Sequence, residues 1–413
     1  MNHSRDHWRG RSIWTVTLHQ IGACMVFIPL GLVCARPINL YLTYPDNPCS
    51  TITVNCHTWE EAETLTVHYD KVPRGGNPEA YAQQVKSRRK QIAGLPDGRW
   101  IHWADLRDLE PGTAYYFIVG DERGGFSRER SFRTVPSGES PIRFITGGDM
   151  GVKELCVQLL HWAGRQDPLF AVIGGDIAYA DGNLARVDCW DSWFRNWDQE
   201  MLTSDGRMVP IVAAIGNHEI NELPSSDPFV RAPFFTGFFW QQHEGTFFSR
   251  RFGECFSLIV LDTGHLVPHH QQVPWLEEEL RKSQDLPVRL AVYHMPLYPS
   301  SRSFEDLGSV EGRRVWAPLF EKYRLTTAFE NHDHCFKRSK LLKSEAIDPE
   351  GVLYLGNGCF GVEPREVGQT RRWYEEKALA QPHFWIVDVD RGRVSCQAMN
   401  QEGKVFDRYV HPQ

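Results

Sequence analysis

The chain has 413 residues, of which 41% are hydrophobic and 12% aromatic, and its net charge at pH 7 is −7. This composition supplies a large core, accommodates two or three domains and excludes a chain that is disordered throughout. The acidic balance, without a dense run of Lys or Arg, argues against a nucleic-acid-binding protein.

The first 35 residues have the pattern of a targeting segment. Arginines at positions 5, 9 and 11 give a basic start, and an uncharged, increasingly apolar stretch covers residues 12–35. Small residues end this stretch, as a cleavage site requires, so residues 1–35 are predicted to be a signal peptide. An uncleaved membrane anchor is the alternative, because the stretch is long enough to span a bilayer. Both interpretations predict a secreted or extracytoplasmic protein. A third interpretation is a cytosolic protein whose N-terminal segment is not a targeting signal.

Eight of the ten cysteines follow residue 35. An oxidising compartment allows disulfides. Cys49 and Cys56 are close enough in sequence to pair across adjacent strands, although spacing does not establish a pairing. For the other cysteines we expect buried free thiols.

Residues 36 to about 136 are predicted to form an all-β domain. Short runs rich in β-branched and aromatic residues are separated by Pro, Gly and Asp. The strands are expected at 39–43, 51–55, 64–69 and 114–119. The polar segment 75–89 is predicted to be a loop, and 133–141 a linker. The turn and strand at 109–115 resemble the tyrosine corner of a fibronectin type III sandwich.

From residue 142 onward the pattern becomes α/β. Compact apolar strands are expected at 143–146, 170–173, 209–215, 257–261 and 289–293, and further strands at 384–389 and 405–410. Helical segments, such as 152–164 and 274–284, fall between several of them. Alternation of this kind predicts a layered α/β fold.

Five motifs in this region carry side chains that bind metals, and four of them lie where a predicted strand ends. The motifs are Gly148–Gly151, Gly175–Tyr179, Gly216–Glu219, Ala291–His294 and Asn331–His334. Their donors are Asp149, Asp176, Tyr179, Asn217, His294, His332 and His334. Functional groups gather at the carboxyl ends of strands, and imidazole suits iron, zinc or manganese. The set predicts a two-metal hydrolase acting on a phosphate ester.

The ordered motifs resemble the calcineurin-like metallophosphoesterases, and in particular the purple acid phosphatases. Tyr179, three residues after Asp176, and the fibronectin-like region ahead of the motifs both match that subfamily. The resemblance implies a layered metallophosphoesterase-type catalytic domain at 141–413, with mixed β-sheets flanked by helices. It also implies a fibronectin type III-like sandwich at 36–136.

The resemblance also implies a role for each donor. Asp149, Tyr179 and His334 would bind a first metal, expected to be Fe(III). Asn217, His294 and His332 would bind a divalent ion, such as iron, zinc or manganese, and Asp176 would bridge the two metals. A phenolate is a strong anionic donor that favours a trivalent ion.

The implied activity is that of an acid phosphatase, which hydrolyses phosphate monoesters with a metal-activated hydroxide. His218, beside Asn217, is the candidate to donate a proton to the leaving group. Glu219 is expected to orient His218. Because His332 and His334 are two residues apart, an extended strand would direct both to one side and Asp333 to the other.

The chain departs from the family pattern at three positions. Asn331 replaces a Gly, and Asn tolerates left-handed backbone, so the turn is expected to survive. Met295 follows His294 where many relatives carry a second His that contacts substrate, which puts that contact in question. Ala291 replaces a Val, a change in packing.

Two alternatives remain open at this point. One is a phosphodiesterase or nucleotidase that uses two divalent metals and no ferric iron. The other is a cell-surface binding protein with a vestigial metal site. The expected partner is a small phosphate ester, with no nucleic acid and no membrane beyond the N-terminal anchor. The sequence does not set the natural substrate or the oligomeric state.

Overall fold

The computed structural model of the chain describes residues 36–59, 64–239, 245–368 and 370–411. The predicted signal peptide or anchor, residues 1–35, lies outside the described residues. Within the described part of the chain, no helix combines the length and apolar character that crossing a bilayer requires.

The N-terminal region is all-β, as predicted. Its strands are β1 (Ile38–Thr43), β2 (Ile52–Thr58), β3 (Thr66–Asp70), β4 (Gln83–Lys86), β5 (Arg88–Lys90), β6 (Trp100–Leu106), β7 (Ala114–Asp121), β8 (Gly125–Phe126) and β9 (Arg130–Arg133). The Tyr115 hydroxyl accepts a hydrogen bond from the Glu110 N–H at 2.9 Å. This is the contact of a tyrosine corner, and it fixes the turn that enters β7.

The prediction of a loop over residues 75–89 was wrong in its second half, where β4 and β5 form. β4 pairs with β3, and β5 pairs with β6. Both are short strands at the edge of a sheet. Charged residues are tolerated there because one side of an edge strand faces water, so composition alone suggests a loop.

The rest of the chain alternates strands and helices. The elements are β10 (Ile142–Gly147), α1 (Glu154–Gly164), β11 (Phe170–Ile173), α2 (Val187–Glu200), β12 (Ile211–Ala213), α3 (Pro228–Arg231), α4 (Pro233–Phe238), β13 (Phe248–Phe252), β14 (Phe256–Val260), α5 (His269–Lys282), β15 (Val288–Tyr293), α6 (Leu307–Val315), α7 (Ala317–Lys322), β16 (Thr327–Glu330), β17 (Phe336–Lys343), β18 (Ala346–Ile347), β19 (Val352–Gly356), β20 (Glu375–Leu379), β21 (Phe384–Asp390), β22 (Arg393–Met399) and β23 (Val405–Val410). Helix α5 begins earlier than predicted and contains Pro274, which sequence rules place at a helix start.

Two large sheets organise this region. The first has ten strands in the order β23-β22-β21-β10-β11-β12-β1-β2-β6-β5, so strands of the N-terminal region extend it. The second runs β13-β14-β15-β16-β19-β17-β18, with β20 paired to β17. Strands β10, β11 and β12 are mutually parallel, as are β14, β15, β16 and β19. Parallel strands bring their carboxyl ends to one edge of each sheet.

The core consists of three clusters of buried hydrophobic side chains. One cluster of buried side chains joins the two large sheets, with Phe144 stacked on Phe170 and next to Phe256. A second lies between the first sheet and α1 and α2, and includes Trp190 and Trp193. A third lies between the second sheet and α5, α6 and α7. The result is the predicted layered α/β arrangement, with helices outside two mixed sheets.

The eight cysteines in the described residues are all free thiols, and seven of them are buried. Cys49 and Cys56 therefore do not form the disulfide that their spacing allowed. The Cys49 thiol instead donates to the Pro136 carbonyl at 3.3 Å. Burial raises the pKa of Cys56, which keeps that thiol protonated.

Candidate metal centre

The predicted donors lie at the carboxyl ends of parallel strands in both large sheets. Asp149 follows β10, and Asp176 follows β11 in the first sheet. His294 follows β15 directly, and the turn 331–334 follows β16 in the second sheet. The two sheets face each other, so their strand ends form one buried edge where donors from distant segments meet.

Backbone conformation at these strand ends is unusual. Five of the seven predicted donors are non-glycine residues with left-handed backbone: Asp149 (φ 57°), Asp176 (φ 53°), Tyr179 (φ 57°), His332 (φ 65°) and His334 (φ 38°). Such conformations cost free energy and persist where the surrounding structure enforces them. Their concentration at one edge is typical of a functional site.

Four of the donors form a compact group. Ligand atoms of Asp149, Asp176, His294 and His332 all lie within 4.8 Å of one another. Asp149 and His294 are fully buried, and Asp176 is 1% exposed. Carboxylate oxygens and imidazole nitrogens packed this closely, away from water, have the arrangement of a metal site.

Tyr179 and His334 join this group on the side of Asp149. The Asp149 Oδ1 atom lies 3.0 Å from His334 Nε2 and 3.3 Å from the Tyr179 hydroxyl. The Tyr179 hydroxyl is also 3.3 Å from His334 Nε2. The three donors that the family resemblance assigns to a first metal therefore converge on one point.

Asn217 and His332 gather around His294 on the other side. His294 Nε2 lies 3.1 Å from Asn217 Oδ1 and 3.1 Å from His332 Nδ1. The second ring nitrogen of His294 is 2.9 Å from the Gly174 carbonyl, which orients the imidazole. The three donors assigned to a second metal also converge.

Asp176 lies between the two groups. Its Oδ1 accepts a hydrogen bond from the His218 backbone N–H at 2.8 Å. Its buried Oδ2 lies 3.2 Å from His294 Nε2 but accepts no hydrogen bond from any described residue. A buried carboxylate oxygen without a donor is costly unless a cation binds it, so this atom fits a bridging ligand.

The electrostatics of the donors also fit cations. Burial and the neighbouring His294 lower the pKa of His332, which favours the neutral imidazole that binds a metal. Burial, and then the charges of Asp149 and Asp176, raise the pKa of the Tyr179 phenol. A Tyr179 phenolate therefore requires a strong positive charge beside it. Burial opposes a charge on His294, but Asp176 and Asp149 raise its pKa to about 9.

The turn that carries His332 and His334 is not the extended strand that the sequence suggested. Both residues have left-handed backbone, and β16 ends before them at Glu330. Asp333 between them points away, as expected. Its carboxylate accepts hydrogen bonds from the Ser301 N–H at 2.9 Å and the Arg302 N–H at 3.0 Å. Asp333 therefore ties this turn to the loop after β15.

Glu219 does not orient His218, contrary to the prediction. Its buried carboxylate accepts hydrogen bonds from the backbone N–H groups of Asp176 (2.7 Å), Ile177 (2.8 Å) and Gly216 (2.8 Å). Glu219 thus ties the strand end that carries Asp176 to the turn that carries Asn217. Its role is to position two predicted ligands.

Asp181 is the partner of His218, and the sequence interpretation missed it. The Asp181 carboxylate contacts His218 Nδ1, and it also pairs with Arg186. The His218 ring packs on the Tyr179 ring with centroids 4.2 Å apart. His218 Nε2 faces Asp176 Oδ2 at 3.8 Å. The available signal was an Asp two residues after Tyr179, followed by a glycine.

Asn331 has a role that differs from the one expected. The left-handed residues of its turn are His332 and His334, not Asn331 itself. The Asn331 side chain donates to the Tyr293 carbonyl at 2.8 Å and lies against Gly148 and Gly174. A Cβ on Gly148 would come within 2.5 Å of Asn331 Oδ1. Asn331 thus fills the space that the two glycines leave at the ends of β10 and β11.

Two family models match the chain. Residues 37–134 match the N-terminal domain of the purple acid phosphatases, and residues 151–336 match the calcineurin-like phosphoesterases. Both matched segments lie in the regions described above as all-β and α/β. The second segment contains four of the five metal-binding motifs. The first motif, Gly148–Gly151, which carries Asp149, lies before it except for its last residue.

Several plant proteins are similar to the chain. Purple acid phosphatase 21 of Arabidopsis thaliana is 27% identical over 319 residues, covering 73% of this chain and 69% of the relative. A purple acid phosphatase of Glycine max is 25% identical over 425 residues, covering 91% and 86%. The chain spans only 58% of the length of the probable purple acid phosphatase 20 of Arabidopsis thaliana, at 27% identity.

Solved structures support the fold. The purple acid phosphatase PPD1 from yellow lupin (Lupinus luteus) seeds superposes with a TM-score of 0.75 at 20% identity, covering 91% of this chain and 74% of that one. The structure of PhoD superposes with a TM-score of 0.63 at 11% identity, covering 91% and 89%. At these identities the likeness concerns the architecture.

Proposed function

Because the chain belongs to the purple acid phosphatase family, a family of metal-dependent phosphatases, we propose that it hydrolyses phosphate monoesters at a dinuclear metal centre. The convergence of the seven donors, with Asp176 between two groups of three, carries this proposal. Donors from five distant segments meet within a buried edge, which a structural role alone does not require.

The proposed centre holds Fe(III) between Asp149, Tyr179 and His334, and a divalent iron, zinc or manganese ion between Asn217, His294 and His332. When bound, the two cations supply the positive charge that binds phosphate oxygens and makes water a nucleophile at acidic pH. Tyr179 supports the assignment of a trivalent ion, because its buried phenol needs a strong positive charge to ionise.

His218 is the proposed acid that protonates the leaving oxygen. Its Nδ1 is held by Asp181, and its Nε2 faces the donor group near Asp176. The carboxylate of Asp181 orients the ring, as in other carboxylate–histidine pairs. The ring is partly exposed, with 34% of its side chain accessible, so a substrate can reach it.

The proposal extends to the organisation of the whole chain. We propose that residues 1–35 direct secretion as a signal peptide or anchor, and that residues 36–136 form a fibronectin type III-like domain ahead of a catalytic domain at 141–413. The tyrosine corner at Tyr115 supports the fibronectin-like assignment. Cell fractionation and N-terminal sequencing of the mature protein test the first part: a chain that starts at residue 1 in the cytosol contradicts it.

The activity is tested with p-nitrophenyl phosphate and bis(p-nitrophenyl) phosphate over pH 4 to 8. The proposal predicts hydrolysis of the monoester with an acidic optimum, and a loss of at least about a thousandfold in Asp176→Ala. Asp285→Ala, at an exposed surface pair, is the matched control and should retain activity. Preference for the diester would favour the phosphodiesterase alternative. No hydrolysis of either by the metal-loaded protein would favour a binding protein with a vestigial site.

A further inference from the structure

A cavity of about 700 Å³ lies at the edge of the second sheet that is opposite to the metal centre. Three arginines line it: Arg289 in β15, Arg324 shortly before β16, and Arg391 in the turn between β21 and β22. Arg289 precedes His294 by five residues along an extended strand, a distance of roughly 16 Å. The cavity is therefore separate from the place where the predicted metal ligands converge.

The lining of this cavity has an excess of positive charge. None of the three guanidinium groups forms an ion pair with a carboxylate in the part of the chain that the structure describes. Glu350, the acidic residue of the lining, pairs instead with Lys343 at 3.4 Å. Asp285, whose charge also acts on Arg289, pairs with Arg251 at 2.6 Å. Both acidic groups have other partners, so the charges of the three arginines lack a carboxylate counter-ion.

Arg289 is a buried cation with unused hydrogen-bond donors. Its residue is only 9% exposed, and a guanidinium has five N–H groups to satisfy. Nη1 donates to the carbonyls of Ser283 at 3.1 Å and Leu286 at 2.7 Å, and Nε donates to the Arg324 carbonyl at 3.4 Å. These bonds hold the side chain in one position. Nη2 donates to no described residue, so two N–H groups of a desolvated charge are left for an external acceptor.

The other two arginines are carried on constrained backbone. Arg324 and Arg391 both have left-handed conformation, with φ of 52° and 46°. The Arg324 N–H donates to the Glu321 carbonyl at 3.2 Å. A Cβ on Gly392 would lie 3.3 Å from the Pro287 Cβ, so the turn that carries Arg391 packs beside the start of β15. Three separate segments thus bring cationic side chains to one opening, and ordered segments lose little conformational entropy on binding a ligand.

We propose that this cavity binds a small organic anion with two phosphate groups, at a site distinct from the metal centre. A guanidinium binds phosphate through paired, charge-assisted hydrogen bonds, and three of them complement the charge of such a ligand. The volume lies within the roughly 300–1,000 Å³ of small-molecule sites. Nη2 of the buried Arg289 is the donor at the base of the cavity, and the exposed Arg324 and Arg391 supply donors at its rim. Hydrolysis at the metal centre does not use this cavity, so the binding site is additional to the proposed function.

Calorimetric titration of the metal-loaded protein with methylenediphosphonate tests the proposal, because this anion has two phosphonate groups and a P–C–P link that is not hydrolysed. Wild type should bind two molecules per chain, one at the metal centre and one in the cavity. Arg324→Asn and Arg391→Asn should each weaken the cavity event by at least about tenfold. Asn tolerates left-handed backbone, so both variants should fold. Their hydrolysis of p-nitrophenyl phosphate should stay within about twofold of wild type, because the two sites are far apart.

Arg393→Ala is the matched control, because Arg393 is an exposed arginine at the start of β22 and is not part of the cavity lining. Its variant should keep both binding events, and Asp176→Ala should lose only the event at the metal centre. The cavity site is refuted if wild type binds no diphosphonate, or if its single bound molecule is lost in Asp176→Ala. It is also refuted if Arg324→Asn or Arg391→Asn keeps the cavity event at wild-type strength, or if Arg393→Ala loses it.

The same titrations separate this site from the proposed function. A single event that Asp176→Ala keeps and the two Asn variants lose would support the cavity site and count against anion binding at the metal centre. Absence of p-nitrophenyl phosphate hydrolysis by wild type would refute the proposed function and leave the cavity site to be decided by the arginine variants.

Discussion

The Nδ1 atom of His218 contacts the carboxylate of Asp181, while Nε2 of the same ring faces Asp176 Oδ2 at 3.8 Å. The two nitrogens of one imidazole are thus divided between a fixed carboxylate and the donor group. A carboxylate on Nδ1 fixes the orientation of the ring, so that Nε2 is turned towards the donor group. The position of the proposed acid, His218, therefore does not depend on the seven predicted ligands alone.

The first prediction concerns this pair. Asp181→Asn should lower kcat by roughly tenfold to a hundredfold for phenyl phosphate, whose leaving group needs a proton, and by much less for p-nitrophenyl phosphate. The metal content should be unchanged. Asp188→Asn, at an exposed carboxylate in the first turn of α2, is the control. Equal losses for the two substrates would mean that Asp181 acts on the fold of the site and not on proton donation.

The second prediction concerns Asn331 and the glycine beneath it. A methyl group on Gly174 would overlap the Asn331 amide, so Gly174→Ala should lower the free energy of unfolding by about 1–3 kcal/mol. Asn331→Ala removes the overlapping atoms, and the double variant should recover part of the loss, with a coupling of about 0.5–3 kcal/mol. Urea denaturation measures all three variants. Strictly additive effects would show that the two side chains do not share this space.

Much of the site could be predicted because its donors follow buried strands. The runs before Asp149, Asp176 and His294 are apolar and compact, and such runs specify a parallel strand with a functional carboxyl end. The all-β region and the layered sheets were predictable for the same reason. The order of the motifs added the family, which no single motif would have established.

The parts of the site that could not be predicted from the sequence depend on contacts between distant segments. Glu219 is adjacent to His218, yet its carboxylate reaches the backbone after β11, and Asp181 takes the place beside His218. The sequence does not reveal which of two neighbouring acids reaches a given ring. The edge strands β4 and β5 were missed because half their surface faces water, so their composition matches that of a loop.

The third prediction concerns pH and stability. Burial, and then Arg89, lower the pKa of His102 to about 4 in the folded protein, against an ordinary value near 6.5 in the unfolded chain. Between these values the unfolded chain binds a proton that the folded protein does not. The free energy of unfolding should therefore fall as pH decreases from about 6.5 to 4, by up to roughly 3 kcal/mol from this residue, and level off below.

His102→Gln should flatten part of this slope in urea denaturation at pH 7, 5.5 and 4.5. The Gln side chain can keep a hydrogen bond to Thr58, whose hydroxyl lies 3.0 Å from His102 Nε2. His270→Gln, at an exposed histidine of α5, serves as the control and should keep the wild-type slope. An unchanged slope in His102→Gln would show that His102 is already accessible to protons in the folded protein.

The account as a whole depends on two metal ions held by donors from five segments, and metal analysis combined with the visible spectrum of the purified protein tests it most directly. The predicted result is two metal ions per chain, one of them iron, and a visible charge-transfer band that disappears in Tyr179→Phe but persists in the control Tyr116→Phe. A colourless wild-type protein with full phosphatase activity would contradict the ferric assignment. A protein that binds no metal under any loading condition would contradict the centre itself.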